Sequence, residues 1–262
     1  MVYTGTKRGR RGSNSNSIKL KIAYTNINGL IMGINELNDY LKDSKPDIMG
    51  IVETKLKGQI PPDSVGNKLY KSWYRNRKGK QGGGVMILVK ENINVKKVMY
   101  GEDNAEMTTL RIEDKDRKNR DFTVMYVPPK TRAWKEREYT AMISDTKNSL
   151  KEILKEGENT ILMGDFNCKE VHWEDMSLEG GEESWGTMLL DLTMDYTMTQ
   201  WIQECTRYRS GEEPSRLDLV FTKEPEIVRN IEYMTPIGKS EYVLIELELR
   251  EGTYIARNEK DK

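Results

Sequence analysis

The chain has 262 residues, 36% apolar and 32% charged, with Lys+Arg 42 against Asp+Glu 42 and a formal net charge of zero. That size fits one large domain or two small ones with a polar surface, and the balanced charge means that any nucleic-acid binding must come from local patches. Two cysteines without a Cys-x-x-Cys pair and a single histidine, His172, exclude a disulfide framework, a zinc site and a histidine-rich metal centre. No apolar run approaches the ~20 residues of a membrane span, and the basic N-terminus is followed by no apolar leader-type stretch. The expectation is a soluble intracellular protein from a reducing compartment.

Residues 1–17 are Gly, Ser, Asn, Thr and basic side chains, including Lys7, Arg8, Arg10 and Arg11. They bury nothing and are expected to be a disordered basic tail. Ile18–Thr25 alternates apolar and polar positions, which predicts a strand with one buried face. It ends in Asn26-Ile27-Asn28-Gly29-Leu30. Ile34, Leu37 and Leu41 then follow at helical spacing, stopped by Asp43-Ser44-Lys45-Pro46. Ile48–Val52 is a second apolar strand and ends in Glu53. A loop with Pro61-Pro62 and Gly66 leads to two strands, Tyr70–Arg77 and Val85–Val89, joined by a glycine-rich turn at 78–84. A phosphate-binding loop would need Gly-Lys-Ser/Thr opening a helix, whereas a strand follows here. Arg75, Arg77, Lys78 and Lys80 make the hairpin basic: a solvated turn, or a contact for a DNA backbone.

Met107–Glu113 and Asp121–Val127 predict another hairpin, ending in Tyr126-Val127-Pro128-Pro129. From Thr131 the pattern is helical, with Trp134, Ile143, Leu150, Ile153 and Leu154 as core candidates and Gly157 as the stop. The apolar run Thr160–Met163 delivers Gly164-Asp165-Phe166-Asn167. An acidic loop over 168–183, a helix with Trp185, Leu189 and Leu192, and a short strand Tyr196–Ile202 follow. Ser215–Thr222 reads as a central strand that carries Asp218 inside it. Buried carboxylates are rare unless paired or coordinated. Gly238–Tyr242 precedes a last alternating strand, Val243–Leu249, and a polar tail. No linker divides the chain, so residues 18–250 are expected to form one domain between the tails 1–17 and 251–262.

The polar residues at strand ends are Asn26, Asn28, Glu53, Tyr126, Asp165, Asn167, Asp218 and the Ser240 segment. Carboxylate and amide oxygens without Cys or His ligands suit a hard cation such as Mg²⁺, with Glu53 as its carboxylate and Asp165 free to act as a base toward water. The competing reading is chance, because loops favour Asn and Asp.

The ordered series Asn-Ile-Asn-Gly-Leu (26–30), Glu-Thr-Lys-Leu (53–56), Gly-Gly-Gly-Val (82–85), Tyr-Val-Pro-Pro (126–129), Gly-Asp-Phe-Asn (164–167) and Ser-Arg-Leu-Asp-Leu-Val-Phe-Thr (215–222) resembles the endonuclease/exonuclease/phosphatase superfamily. Within it the chain is most similar to the apurinic-endonuclease-like domain of non-LTR (LINE-type) retrotransposons, over about residues 18–250. The resemblance implies an α/β fold of the DNase I-like type: a four-layered sandwich of two packed, mostly antiparallel sheets flanked by helices. It implies that Asn26 and Glu53, with Asn28 close by, hold Mg²⁺, or Mn²⁺ in its place. Tyr126 would contact the scissile phosphate, Asp165 activate the water, Asn167 bind a phosphate oxygen and orient that water, and Asp218 lie buried beside them. Ser240, with the basic hairpin, would meet DNA.

One motif departs. The family ends on Ser-Asp-His, in which the His bonds the scissile phosphate and the Asp orients it; this chain has Ser240-Glu241-Tyr242. Tyr242 donates a hydrogen bond but carries no positive charge at neutral pH, which costs roughly 10²–10⁴ in rate. Glu241 is one methylene too long to hold its neighbour as Asp does. His172 is a weak candidate for a substitute. The expectation is therefore a monomeric Mg²⁺-dependent endonuclease that nicks duplex DNA to leave a 3′-hydroxyl, with impaired turnover, acting in the nucleus by resemblance. The alternatives are a decayed or domesticated copy that binds without catalysis, or a phosphoesterase for another substrate. A reverse transcriptase would be a partner outside this chain, which has no Tyr/Phe-x-Asp-Asp motif and is too short to hold one.

Overall fold

A computed structural model describes residues 20–57, 65, 68–113, 118–179, 181 and 184–250. The two expected tails, and most of the expected loop at 57–68, lie outside the described residues. In chain order the elements are β1 (Lys21–Asn26), α1 (Leu30–Ser44), β2 (Ile48–Val52), β3 (Tyr70–Arg75), β4 (Val85–Lys90), β5 (Val95–Tyr100), β6 (Glu106–Glu113) and β7 (Asn119–Tyr126). They continue with α2 (Glu136–Glu156), β8 (Thr160–Asp165), β9 (Val171–His172), β10 (Ser177–Leu178), α3 (Trp185–Asp195), β11 (Thr199–Gln200), β12 (Asp218–Thr222), β13 (Val228–Met234) and β14 (Leu244–Leu249).

The strands form two six-stranded sheets of matching design, in the orders β13-β14-β1-β2-β4-β3 and β11-β12-β8-β7-β6-β5. Each has one parallel pair at its centre, β1 with β2 and β7 with β8, and antiparallel pairs on both sides. A parallel pair needs a crossover, and α1 and α2 supply it. The architecture is thus two β–α–β units, each extended by hairpins, packed sheet against sheet. The expected four-layered sandwich is what forms.

Burial explains why several strands read as unbroken apolar runs. Along β4, Val85, Ile87 and Val89 join the core between the sheets, whereas Met86 and Leu88 join Leu30, Leu37 and Leu41 of α1 in a second core on the outer face. A strand covered on both faces has no polar side. The same holds for β1, which corrects the expected one-sided strand: Ile22 and Tyr24 face one core and Ala23 the other. Leu150, Leu154, Leu189 and Leu192 bury the apolar faces of α2 and α3 against the second sheet.

Other expectations change in detail. Asp218 opens β12 rather than lying within it, and α2 begins at Glu136, leaving Trp134 half-buried ahead of the helix. The acidic loop carries a small hairpin, β9 with β10. The expected strand Tyr196–Ile202 shrinks to β11.

Gly50, in the middle of β2, sets how closely the sheets approach. A Cβ there would lie 2.6 Å from a Val124 methyl of β7 and 3.1 Å from the Met163 sulfur of β8. Gly50→Ala should therefore destabilise the domain by about 1–3 kcal/mol through overpacking. Chemical denaturation reads this directly; an unchanged midpoint would mean that the sheets shift apart without penalty.

Candidate active site

Both β–α–β units aim the carboxyl ends of their parallel strands at the same rim, which is where open α/β sheets bind ligands. Asn26 ends β1, Glu53 follows β2, Tyr126 ends β7 and Asp165 ends β8. Asp218 pairs directly opposite Asp165, and Tyr126 is the register partner of Asp165 on its other side. Around them lies a cavity of about 500 Å³, lined among others by Asn26, Asn28, Glu53, Tyr126, Asn167 and Tyr242. The residues singled out from sequence in both sheets therefore converge.

Two buried hydrogen bonds stitch the sheets together here. The Asn26 amide donates to Asp165 Oδ2 at 2.9 Å, and the Tyr24 hydroxyl donates to Asp218 Oδ1 at 2.8 Å. Asp165 also accepts from the Asn167 backbone N–H at 3.1 Å, and the Tyr242 hydroxyl is within hydrogen-bonding reach of it. Asp165 and Asp218 are both fully buried. Burial pushes Asp165 up to about 7, against the hydrogen bonds from Asn26 and Asn167. Burial first, and then the charge of Asp165, drive Asp218 well above the usual carboxylate range. Asp218 Oδ2 has no hydrogen-bond partner. Two neighbouring carboxyls in one dry site cannot both ionise cheaply. Asp165 has more donors, so ionisation of the pair favours Asp165.

Glu53 and Asn28 converge from the other side. The Lys55 ammonium lies 2.8 Å from a Glu53 carboxylate oxygen and 2.5 Å from Asn28 Oδ1. The Asn26 side-chain oxygen accepts the Asn28 N–H at 3.0 Å, which leaves it one lone pair. Asn28, Glu53, Lys55 and Asn167 all have positive φ, between 45° and 55°. Asn tolerates that conformation, but Glu and Lys do so at a cost, and such strain clusters at functional sites. The glycine-rich turn holds the strained segment: Thr54 and Lys55 donate their N–H groups to the Gly84 and Gly83 carbonyls. Gly84 in turn donates its N–H to the buried Glu106 carboxylate at 2.7 Å. The turn therefore does cradle an anion, but an internal one.

Arg77 pairs with the same Glu106, and Arg75 donates to the Asp103 carbonyl at 2.6 Å. Lys80 pairs with Glu138 at 2.7 Å and sits 4.2 Å from the centre of the Trp134 ring. These three, with Lys78, line a separate cleft of about 390 Å³ beside the rim cavity. Arg77 and Lys80 also line a recess with Tyr126 and Pro129 that leads toward it. The Ser240 hydroxyl donates to the Asn26 carbonyl and accepts the Tyr242 N–H, so it ties the final turn to β1. His172 lies half-exposed on β9 beside Glu179, 3.4 Å away, and does not line the cavity.

Sequence reasoning missed Arg207 and Arg209, which also line the cavity. Glu241 binds both arginines, Arg207 at 3.1 Å and Arg209 at 3.3 Å. Burial, with Asp165 and Asp218 close by, keeps the Tyr242 phenol protonated well above its ordinary range.

The profile of the Endonuclease/Exonuclease/phosphatase family matches residues 23–240, and the chain belongs to that family. Solved structures of similar fold include the endonuclease domain of TRAS1, a telomere-specific non-LTR retrotransposon. It is 15% identical, with a TM-score of 0.68 over 89% of this chain and 99% of that one. The APE2 catalytic domain of Xenopus laevis is 17% identical, with TM-score 0.69 over 92% and 94%. A 3′ phosphatase from Neisseria, NExo, bound to product DNA hairpin, is 14% identical, with TM-score 0.69 over 88% and 99%. A search of curated proteins returns no match.

The carboxyl pair makes a stability prediction. A raised folded pKa means that stability is fully present below the unfolded value of about 3.9 and is lost as pH rises through the raised value. Asp218→Asn keeps the oxygen that Tyr24 needs and removes the titration. It should melt above the natural chain at pH 7, by about 2–8 °C, with the difference closing near pH 4. Calorimetry across that range checks the sign, and a variant that melts lower at pH 7 would show that the ionised pair is net stabilising.

Proposed function

We propose that this chain is a metal-dependent DNA endonuclease of the retrotransposon type, nicking duplex DNA to leave a 3′-hydroxyl, with weak turnover. The observation that carries the reading is the convergence of Asn26, Glu53, Asn167 and Tyr126 on one rim cavity from two separate sheets, with Asp165 buried just behind it and bonded to Asn26. The DNA-bound Neisseria phosphatase and the retrotransposon endonuclease domain, alike in fold, support DNA as the substrate class.

The donor set fits a hard divalent cation. It offers oxygens only, and those of Glu53 and Asn28 already point at one cation, the Lys55 ammonium. In this reading Glu53 is the one carboxylate on the ion, with water and phosphate as further ligands, a set that suits Mg²⁺. Glu53, Asn26 and Asn28 would hold the ion, with Lys55 swinging out. The ion would neutralise charge on the phosphate and polarise it.

The chain's own groups do the rest. Asp165, ionised beside a protonated Asp218, accepts the proton of the attacking water. Asn167, its N–H fixed by Asp165 and its amide donating to the Val127 carbonyl at 2.9 Å, presents its oxygen to orient that water. Tyr126 stays protonated, since burial and the nearby Glu53 push its phenol up, and it can donate to a phosphate oxygen. Tyr242 gives a neutral donor where the family has an imidazole. That replacement favours a second reading, a binding module without useful turnover.

Nicking of supercoiled plasmid with Mg²⁺ tests both. The natural chain should nick slowly, EDTA and Asp165→Ala should abolish nicking, and the paired change Glu241→Asp/Tyr242→His should raise the rate roughly 10²–10⁴-fold. Nicking by the restored variant alone would favour the binding module. Folded protein with no nicking in either form would overturn the endonuclease assignment.

A further inference from the structure

The loss of a cationic imidazole leaves a deficit of positive charge, and Arg207 stands where it can fill it. Its backbone is fixed from two sides: it exchanges hydrogen bonds with Ser215 at 2.9 and 3.1 Å, while neighbouring Tyr208 N–H donates to the Glu241 carbonyl at 2.8 Å and Val243 N–H to the Thr206 carbonyl at 2.9 Å. Its side chain is mostly buried, at 16% exposure, and lies in the wall of the cavity that holds Asn26, Asn167 and Tyr126. The guanidinium carbon is 5.9 Å from the centre of the Tyr242 ring. Nε and Nη2 donate to Glu241 Oε2 at 3.2 and 3.1 Å, and Nη1 donates to Glu212 Oε2 at 3.1 Å. A guanidinium has five N–H groups, so one on each terminal nitrogen is left over. Both carboxylates are shared with Arg209, which pairs with Glu212 at 3.1 Å and Glu241 at 3.3 Å. The other cations of the cavity wall, Lys169 and Arg209, are exposed and thus strongly screened.

We propose that Arg207, clamped by Glu241 and Glu212, donates its two remaining N–H groups to the scissile phosphate and supplies the positive charge that Tyr242 cannot carry. A planar, permanently charged fork matches a phosphate, and a preorganised cation in a half-buried wall is worth more than a mobile one. In this light Glu241 is a working part of the site: the longer side chain that cannot orient residue 242 as Asp would instead reaches the arginine. The inference rests on the phosphodiester-cleaving reading above and deepens it.

The test compares Arg207→Gln and Arg207→Lys, each in the natural chain and with Tyr242→His. Binding of a short fluorescent duplex in EDTA is followed by anisotropy against salt, and plasmid nicking is followed with Mg²⁺. Arg207→Gln should lower the slope of log affinity against log salt by about one phosphate contact, and Arg207→Lys should keep it. Arg207→Gln should slow nicking by about 10²-fold in the natural chain but by under about 10-fold beside Tyr242→His, because the imidazole then carries the charge. A structural role would instead give the same factor in both backgrounds and leave Arg207→Lys as slow as Arg207→Gln. Either that pattern or an unchanged slope overturns the proposal. Where binding is seen without nicking, the slope decides. A natural chain that binds no duplex at low salt would sink the nuclease reading itself, and this inference with it, which is a different result from an intact slope.

Discussion

The site exists because the amide of Asn26, on one sheet, meets the carboxylate of Asp165, on the other, in a dry rim between them. A neighbouring bond from Tyr24 to Asp218 repeats the arrangement one step deeper. Neither sheet alone carries both Asp165 and Glu53 to the rim. The geometry of the rim is thus set by how two layers face each other, and the small Gly50 fixes that spacing in the core beneath. Burying two carboxyls together opposes folding, and the rest of the domain must offset it. The same burial holds the Asp165 carboxyl above the usual carboxylate range.

The glycine-rich turn shows how an anion-binding geometry can serve the inside of a protein. Gly83 has no room for a side chain: a Cβ would fall 2.2 Å from a Glu106 oxygen and 2.6 Å from the Arg77 guanidinium. The Gly83 and Gly84 carbonyls accept the Lys55 and Thr54 N–H groups, so a buried ion pair that bridges the two sheets helps hold Glu53 in its strained conformation. Two residues read from sequence as surface cations, Arg75 and Arg77, are thereby partly spent on the fold.

Much of this was legible in the chain because apolar runs such as Ile48–Val52 and Thr160–Met163 end sharply in polar residues, and because six short motifs occur in one order. Strand ends carry that signal even when register is unknown. Two of the edge strands were silent. In β5, Lys96 and Lys97 are exposed, and in β13 Arg229, Asn230 and Glu232 are partly or fully so, which leaves no apolar run to notice. Arg207 was silent for another reason. Its meaning comes from Glu241, 34 residues away, and from a loop that folds back on the last turn. A lone arginine in a polar loop carries no local mark of that. The left-handed backbone of Glu53 was equally hidden, since nothing about a glutamate announces it.

The strand order has a temporal side. β14 lies between β1 and β13, so residues 244–249 complete a sheet begun at residue 21. Until that late segment leaves the ribosome, one edge of β1 is an open ladder with Ala23 and Tyr24 beside it. Pairing across more than two hundred residues also places a large loop-closure step late in folding. A chain cut short before the final strand would therefore leave a sticky, unfinished sheet, which makes the last strand a gate on whether any rim is built at all.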